Sequence, residues 1–271
     1  MFSNLFSYID KRKLDYSHVK IETDLPVYIT MSTIPSRMKN TIELIKHLLK
    51  YVSGFDKIIL NIPYKYKRFP EFNVTVNNDI TDPRFILNRT HDYGPLTKII
   101  GSLNIIPNES ITIIADDMCY KLNAFKDIAE KQNADISKSY SFYVYPFAAK
   151  RGASGAQRNV MVPQGADLIS AYTRNYSDFI GWFNDYLKHQ GTTIEKYVDN
   201  ACFFVDDQLI GWYFQTHNIP MEQVERRHRN IYIRGCDVAN KSDNLNKQTG
   251  KRSRENTMNQ CYHNLNAFYP L

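Results

Sequence analysis

The chain has 271 residues, 43% of them hydrophobic and 23% charged, with a formal net charge of +6. That balance suits one large α/β domain with a substantial core and excludes a disordered or fibrous chain. No apolar run approaches the roughly 18–20 residues that a membrane-spanning helix needs, and the N-terminus has no signal-peptide layout. A cytoplasmic protein is therefore expected, with Cys119, Cys202, Cys236 and Cys261 scattered, without a CxxC pair, and reduced.

In chain order, Phe2, Leu5, Phe6 and Ile9 share one helical face ahead of Lys11, Arg12 and Lys13, which predicts an N-terminal extension over 1–26 that packs on the domain or on another subunit. Val27 to Thr33 (VYITMST) reads as a buried strand, and Pro35-Ser36 breaks it. Met38 to Val52 then carries Ile42, Ile45, Leu48, Leu49 and Val52 at helical spacing. Lys57 to Ile62 is the next strand and Phe72 to Val76 a third. After the turn Asp92-Tyr93-Gly94-Pro95, a helix opening at Pro95 presents Leu96, Ile99, Ile100, Leu103 and Ile106 on one face. Ser110 to Ala115 is a strand ending on Asp116 and Asp117, and helical spacing resumes at Leu122, Phe125, Ile128 and Ala129. Strands alternating with helices predict a Rossmann-like, mostly parallel central sheet flanked by helices, in a single domain over 27–271.

The second half is less regular. Ser139 to Tyr145 alternates like a strand, Asn159 to Val162 is a short one, and Ala201 to Val205 is an apolar strand that ends on Asp206 and Asp207. An amphipathic helix carrying Leu209, Ile210, Tyr213 and Phe214 follows. From Pro220 onward nine Lys/Arg face five Asp/Glu, so most of the positive charge lies at this end. Within it, residues of about 235–258 read as a mobile basic loop, polar and without periodicity.

Parallel sheets bind ligands beyond the carboxyl ends of their strands. Thr33, Ser36 and Arg37 follow the first strand, Asn61 ends the second, and Asp116 and Asp117 end a later one, so all are expected at one crevice. Paired carboxylates there suit a hard cation, Mg²⁺ or Mn²⁺, whose shell a bound diphosphate completes; by spacing alone a solvated turn accounts for the pair better. Lys98, near a helix start, suits a phosphate, or is an ordinary exposed lysine. Asp206 and Asp207 offer a helix N-cap and a general base.

Taken as an ordered set, YITMSTIPSR, KIILNIPYKYKRF, HDYGPLTKIIGSL, ITIIADDMCY and ACFFVDDQLIGWYF resemble a group of GT-A-fold, family 2-like glycosyltransferases of bacteria and large DNA viruses, over Val27 to Leu265. The resemblance implies a GT-A fold and an inverting, metal-dependent hexosyltransferase, moving a sugar from a nucleoside-diphosphate donor, UDP-linked, to a hydroxyl of a glycan or other acceptor. It implies a nucleotide pocket of Thr33, Pro35, Arg37 and Asn61, with Asp92, Tyr93, Gly94 and Lys98 holding the donor. Asp116 and Asp117 would form the DxD-like metal site, Asp117 being the more direct ligand. Asp206 and Asp207 would supply the catalytic base, with Asp207 favoured, and Arg252, Arg254 and Asn256 would fold over the diphosphate. The chain departs from the group at Ala115, where relatives carry a third acid, and at Gln208-Leu209, where they carry an aromatic residue. The nearest alternative is a sugar nucleotidyltransferase, which needs the same carboxylates and lysine but cleaves a triphosphate. A nucleic-acid-binding protein using the basic end is a further alternative, although no nucleic-acid module is recognisable and no nucleic-acid partner is expected.

Overall fold

Residues 9, 11–72, 76, 79–146, 161–164, 167–225, 231–233, 236 and 254–271 are described by a computed structural model. The elements in chain order are β1 (Val19–Lys20), β2 (Val27–Ser32), α1 (Met38–Tyr51), β3 (Val52–Ser53), β4 (Lys57–Pro63), β5 (Phe85–Thr90), α2 (Thr97–Ile100), β6 (Ile111–Ala115), α3 (Asn123–Ala134), β7 (Ser139–Ser141), β8 (Val144–Pro146), β9 (Met161–Pro163), β10 (Ile169–Tyr172), α4 (Phe179–His189), α5 (Asp206–Thr216), β11 (Met221–Gln223) and α6 (Arg254–Phe268).

A seven-stranded sheet in the order β11-β7-β10-β6-β2-β4-β5 forms the centre. β2 pairs in parallel with β4 on one side and β6 on the other, and β5 continues the parallel set. β10 runs against both β6 and β7. β4 and β6 are buried almost throughout, as strands covered on both faces must be, which is why they read as continuous apolar runs and not as alternation. Because the chain leaves β2 toward β4 and returns to its other side with β6, the carboxyl ends of β2 and β6 flank a topological switch point, the place where sheets of this kind bind their ligands. The mixed α/β single domain with a mostly parallel sheet is thus as the sequence predicts.

Several local expectations change. The strand expected at Phe72 to Val76 falls mostly outside the described residues. The sheet edge is instead β5, whose half-buried residues show no alternation to read. The helix expected from Pro95 to Ile106 is continuous only over α2, because sheet side chains take its carbonyls: Asn88 Nδ2 donates to Gly101 O (2.7 Å) and Asn61 Nδ2 to Lys98 O (3.2 Å). Ser139 to Tyr145 divides between β7 in the main sheet and β8, which pairs with β9. Of the strand expected at Asn159 to Val162, residues 159–160 are outside the described residues and β9 supplies the rest.

Ala201–Phe204 is a 3-10 turn and not a strand: Asn200 accepts a hydrogen bond from the Cys202 N–H (2.9 Å), capping the turn. α5 is not amphipathic, since Asp206 to Phe214 are all buried. Of the loop expected over 235–258, residues 237–253 lie outside the described residues, and α6 already runs from Arg254. Of the N-terminal face only Ile9 is described, packed against Leu44, Cys119 and Cys236. β1 pairs with β3, so that part of the first 26 residues joins the domain.

The cysteines are not reduced. Cys119 joins Cys236 and Cys202 joins Cys261, across sequence separations of 117 and 59 that no short-range spacing could reveal. Among the described residues, no helix is long and apolar enough to cross a membrane.

Candidate functional site

β2 hands the chain to Thr33 and then to a 3-10 turn, Pro35–Arg37, with Pro35 fixing its first residue; α1 follows directly. That short passage brings Arg37 back toward the end of β6, where Asp116 and Asp117 leave the sheet. Thr33 Oγ1 donates to Asp117 Oδ2 (2.8 Å), Arg37 Nη1 to Asp117 Oδ1 (3.0 Å), and Thr41 Oγ1 to Thr33 Oγ1 (2.8 Å). Both oxygens of Asp117 are therefore engaged. Burial pushes its carboxyl above the usual carboxylate range, and the Arg37 guanidinium pulls the other way without prevailing.

Lys98 is 2% exposed, not the solvated lysine its spacing allowed. Its ammonium bonds to Asp116 and forms an ion pair with Asp206 Oδ2 at 2.7 Å. Burial opposes the charge, but the two carboxylates overcome it and raise the lysine's pKa above its ordinary value. The lysine thus fastens the end of β6 to the start of α5. Because α2 is a single turn, no free helix start is available as an anion site.

Asp206 does not cap α5, contrary to the capping expectation. It is the first helical residue, and the cap position is Val205, which offers no side-chain acceptor. Its carboxylate is drawn to Lys98 instead. Asp207, 3% exposed, accepts from the Gln208 N–H through Oδ1 (3.1 Å). Gln208 beside it is 1% exposed, and neither its amide oxygen nor its amide nitrogen has a hydrogen-bond partner among the described residues.

The turn between β5 and α2 is built from Asp92, which accepts from the Gly94 N–H (2.8 Å) and the Lys67 N–H (2.7 Å). Burial raises the Asp92 pKa, with those two hydrogen bonds opposing. Gly94 has φ of +66°, and a Cβ there would lie 2.1 Å from the Phe203 carbonyl oxygen. Only glycine lets the turn lie against the Ala201–Phe204 segment. Tyr93 points away from this contact, packing edge-on against Phe183. Asn61 is fully buried, with Nδ2 bonded to Ser102 Oγ (2.7 Å) and Thr30 Oγ1 (2.9 Å), so it clamps α2 to the sheet.

The sequence-predicted residues thus divide. Thr33, Arg37, Asp116, Asp117, Lys98 and Asp206 converge through direct contacts at the switch point. Pro35, Asn61, Asp92, Tyr93 and Gly94 shape the walls. Arg252 lies outside the described residues, and Arg254 opens α6. Thr41 and Tyr66 were missed. Thr41 stands four residues after Arg37 on the same helix face, a spacing that would have found it. Tyr66, whose OH donates to Thr33 O (2.8 Å), had no signal in sequence.

By sequence the chain matches no family description and no curated protein. By structure it is similar to nucleotidyl-transferring enzymes. The 2-C-methyl-D-erythritol 4-phosphate cytidylyltransferase of Francisella tularensis aligns with a TM-score of 0.42 at 15% identity, over 84% of this chain and 96% of that one. The enzyme of the same name from Thermus thermophilus gives 0.38 at 11%, over 74% and 89%. The 4-diphosphocytidyl-2C-methyl-D-erythritol synthase of Anaerococcus prevotii gives 0.37 at 11%, over 86% and 96%. Likeness at this level reaches no further than the mixed α/β architecture with a mostly parallel sheet already described. These solved structures are cytidylyltransferases and not hexosyltransferases, and on that finding the hexosyltransferase expectation is corrected.

The site's own charges set what it can bind. Four carboxylates (Asp116, Asp117, Asp206, Asp207) and two cations (Arg37, Lys98) leave a formal excess of two negative charges at the ends of β6 and α5. Asp116 is the carboxylate with room: Oδ1 takes Lys98, while Oδ2 has no partner among the described residues and the side chain is 32% exposed. Among the described residues no group of three or more Asp, Glu, His or Cys side chains is arranged to hold a metal ion, so these carboxylates by themselves do not make a metal centre. Asp116 keeps an oxygen free among the described residues, where both oxygens of Asp117 are engaged.

Proposed function

We propose that the crevice at the ends of β2 and β6 binds a nucleoside triphosphate and transfers its nucleotidyl group to a phosphorylated, sugar-like acceptor. The observation that carries this reading is the engagement of the acidic pair on α5: Asp206 is paired with Lys98, and Asp207, buried at the helix start, holds the Gln208 N–H through Oδ1. A hydroxyl nucleophile needs a base to take its proton. A phosphate monoester arrives already ionised and needs none, so the arrangement supports phosphate as nucleophile.

In that reaction an acceptor phosphate oxygen attacks the α-phosphorus, a new P–O bond forms, and the bond to the departing pyrophosphate breaks. Arg37, partly exposed and planar, addresses the phosphates as a two-pronged donor. Lys98 is a positioning residue, since it acts by fixing Asp116 and Asp206. A divalent cation held by Asp116, with Asp117 behind it, would offset charge on the phosphates.

Thermal-shift titration of the whole chain against nucleoside triphosphates, nucleoside diphosphates and nucleotide-sugars, with and without Mn²⁺, tests the binding, and a pyrophosphate-release assay with phosphorylated polyols tests the reaction. Stabilisation by a triphosphate and release of pyrophosphate are expected, and Arg37→Ala should weaken triphosphate binding by about tenfold. Stabilisation by nucleotide-sugars alone would point away from nucleotidyl transfer.

A further inference from the structure

We infer that a second pocket, between the turns Tyr197–Asp199 and Ala201–Phe204 on one side and α6 on the other, binds a neutral polyhydroxylated ligand such as a glycan segment. It is an open groove of about 620 Å³, within the size range of ligand pockets. It stands apart from the nucleotidyl-transfer reading, which uses none of its lining residues; Asn256, which the resemblance set over the diphosphate, lines this pocket instead.

The lining carries the argument. α6 contributes Asn256, Gln260 and Asn264, each four residues from the next and therefore on one helix face. Asn200 and Asp199 come from the opposite wall. Amides present a donor and an acceptor side by side, the pattern a sugar hydroxyl matches, since it both gives and takes a hydrogen bond. No lysine or arginine lines the pocket among the described residues, and Asp199 adds a negative charge, so phosphate is disfavoured. Phe204, Val198 and Ala201 supply an apolar patch for the C–H face of a sugar ring.

The two walls are held in place before any ligand arrives. The Cys202–Cys261 disulfide joins them beside Ala201 and Gln260. Tyr186, fully buried, donates its OH to Asn200 Oδ1 (2.9 Å), which also accepts from the Cys202 N–H. That fixes the Asn200 carboxamide and leaves its Nδ2 donors without a partner among the described residues. Gln260 Nε2 donates to Asn264 Oδ1 (3.0 Å), orienting a second pair of amides. Walls fixed in advance reduce the ordering cost of binding. Two residues beyond Phe204 the chain reaches Asp206, so this pocket and the crevice share a wall.

The test is an array of neutral oligosaccharides of glucose, galactose, mannose and N-acetylglucosamine, followed by saturation-transfer NMR titration of those retained, with glucose 1-phosphate as the anionic control. Binding of at least one neutral sugar is expected, lost by about tenfold in Gln260→Ala and again in Asn256→Ala, at solvent-exposed positions where folding is safe. Asp116→Asn should leave it unchanged, whatever becomes of nucleotide binding. No neutral sugar bound, tighter binding of glucose 1-phosphate than of its neutral counterpart, or affinity unmoved by both amide variants would overturn the assignment.

Discussion

The core between α1, α3 and the parallel strands is filled by Val, Ile and Leu, among them Ile29, Ile45, Ile58, Leu60, Ile113 and Ile128, whereas the core enclosed by α4, α5 and α6 is filled by rings. Tyr176, Phe179, Trp182, Tyr186, Trp212 and Tyr213 pack there in edge-on and stacked pairs, for example Phe179 with Tyr213 at 4.7 Å and Trp182 with Tyr186 at 6.4 Å. The first core is built by regular elements that each bury one apolar face. The second gathers short turns around large side chains and is closed by a disulfide between a 3-10 turn and α6. Where repeating elements give way, packed rings hold the chain, and a cross-link is present on both sides.

Lys98 lies on the seam, its carbonyl bonded by Thr30 and Asn61 from the sheet and its ammonium reaching α5. The largest effect is therefore expected from breaking that seam. Lys98→Met keeps the volume but strands Asp206 against the buried wall, and loss of one partner of a buried pair costs about 3–5 kcal/mol. Since Asp116 is partly exposed, the low end of that range is expected in urea unfolding. A loss under 1 kcal/mol would show that the two cores do not depend on this lysine. The ion pair should also be insensitive to ordinary buffers. The lysine's pKa is raised on folding, so its contribution is full below the unfolded value and fades only as pH rises through the folded one.

Each side carries one disulfide, Cys119–Cys236 beside α1 and Cys202–Cys261 in the aromatic core, and the second can be tested by itself. Titration of thiols in the native protein should find none free, and four after unfolding in reductant. Cys202→Ser with Cys261→Ser should cost about 2–4 kcal/mol, the usual worth of a disulfide closing a long loop. Near-ultraviolet circular dichroism should register the change more than a probe of the sheet. An unchanged melting temperature would mean that the rings close this core without the cross-link.

The two halves were also unequally legible in the sequence. The strand and helix pattern up to Ala134 was readable because β2, β4 and β6 are short continuous apolar runs and α1 and α3 carry a helical apolar period, and the carboxylates at the end of β6 followed from the rule for parallel sheets. β5 was not, since all six of its residues are half-buried and give no alternation. Ala201 to Val205 misled, because apolar composition alone does not separate a strand from a turn, and the deciding facts are the Asn200 cap and a disulfide partner 59 residues away. At the crevice, residue identities were legible but their pairing was not. Nothing local tells that Lys98 will be buried between two aspartates, or that Asp117 will face Arg37.

A smaller effect separates Asp117 from the structural charges around it. Its folded pKa is raised, so the proton is held more tightly in the folded state, and its contribution to stability is full below the unfolded value near 4 and lost as pH rises through the folded value. Asp117→Asn removes that dependence. The stability difference between Asp117→Asn and the wild type, measured by denaturant titration from about pH 4 to 7, should therefore shift in favour of the variant as pH rises, by at most about 1.4 kcal/mol per unit of pKa difference. A difference shifting the opposite way would mean that Arg37 and Thr33 outweigh burial and hold the carboxyl below its ordinary range.

The smallest effect has an unusual sign. Gln208 sits in the first turn of α5 with both polar atoms of its amide buried and without a partner among the described residues, next to Asp207. An unmet donor and acceptor in a dry setting weigh against the folded state, while an apolar group of similar size meets no such cost. Gln208→Leu nearly conserves volume, so packing around α5 should absorb it. The variant should be as stable as the wild type or more so, by about 1 kcal/mol, which in a chain of this length is a rise of roughly 2 °C in melting temperature. Most substitutions at a fully buried polar residue destabilise, so the sign is informative. A loss of more than 1 kcal/mol would show that the amide is bonded in solution and that the start of α5 is a closed polar network, whereas a gain would mark Gln208 as a residue kept for something other than the fold.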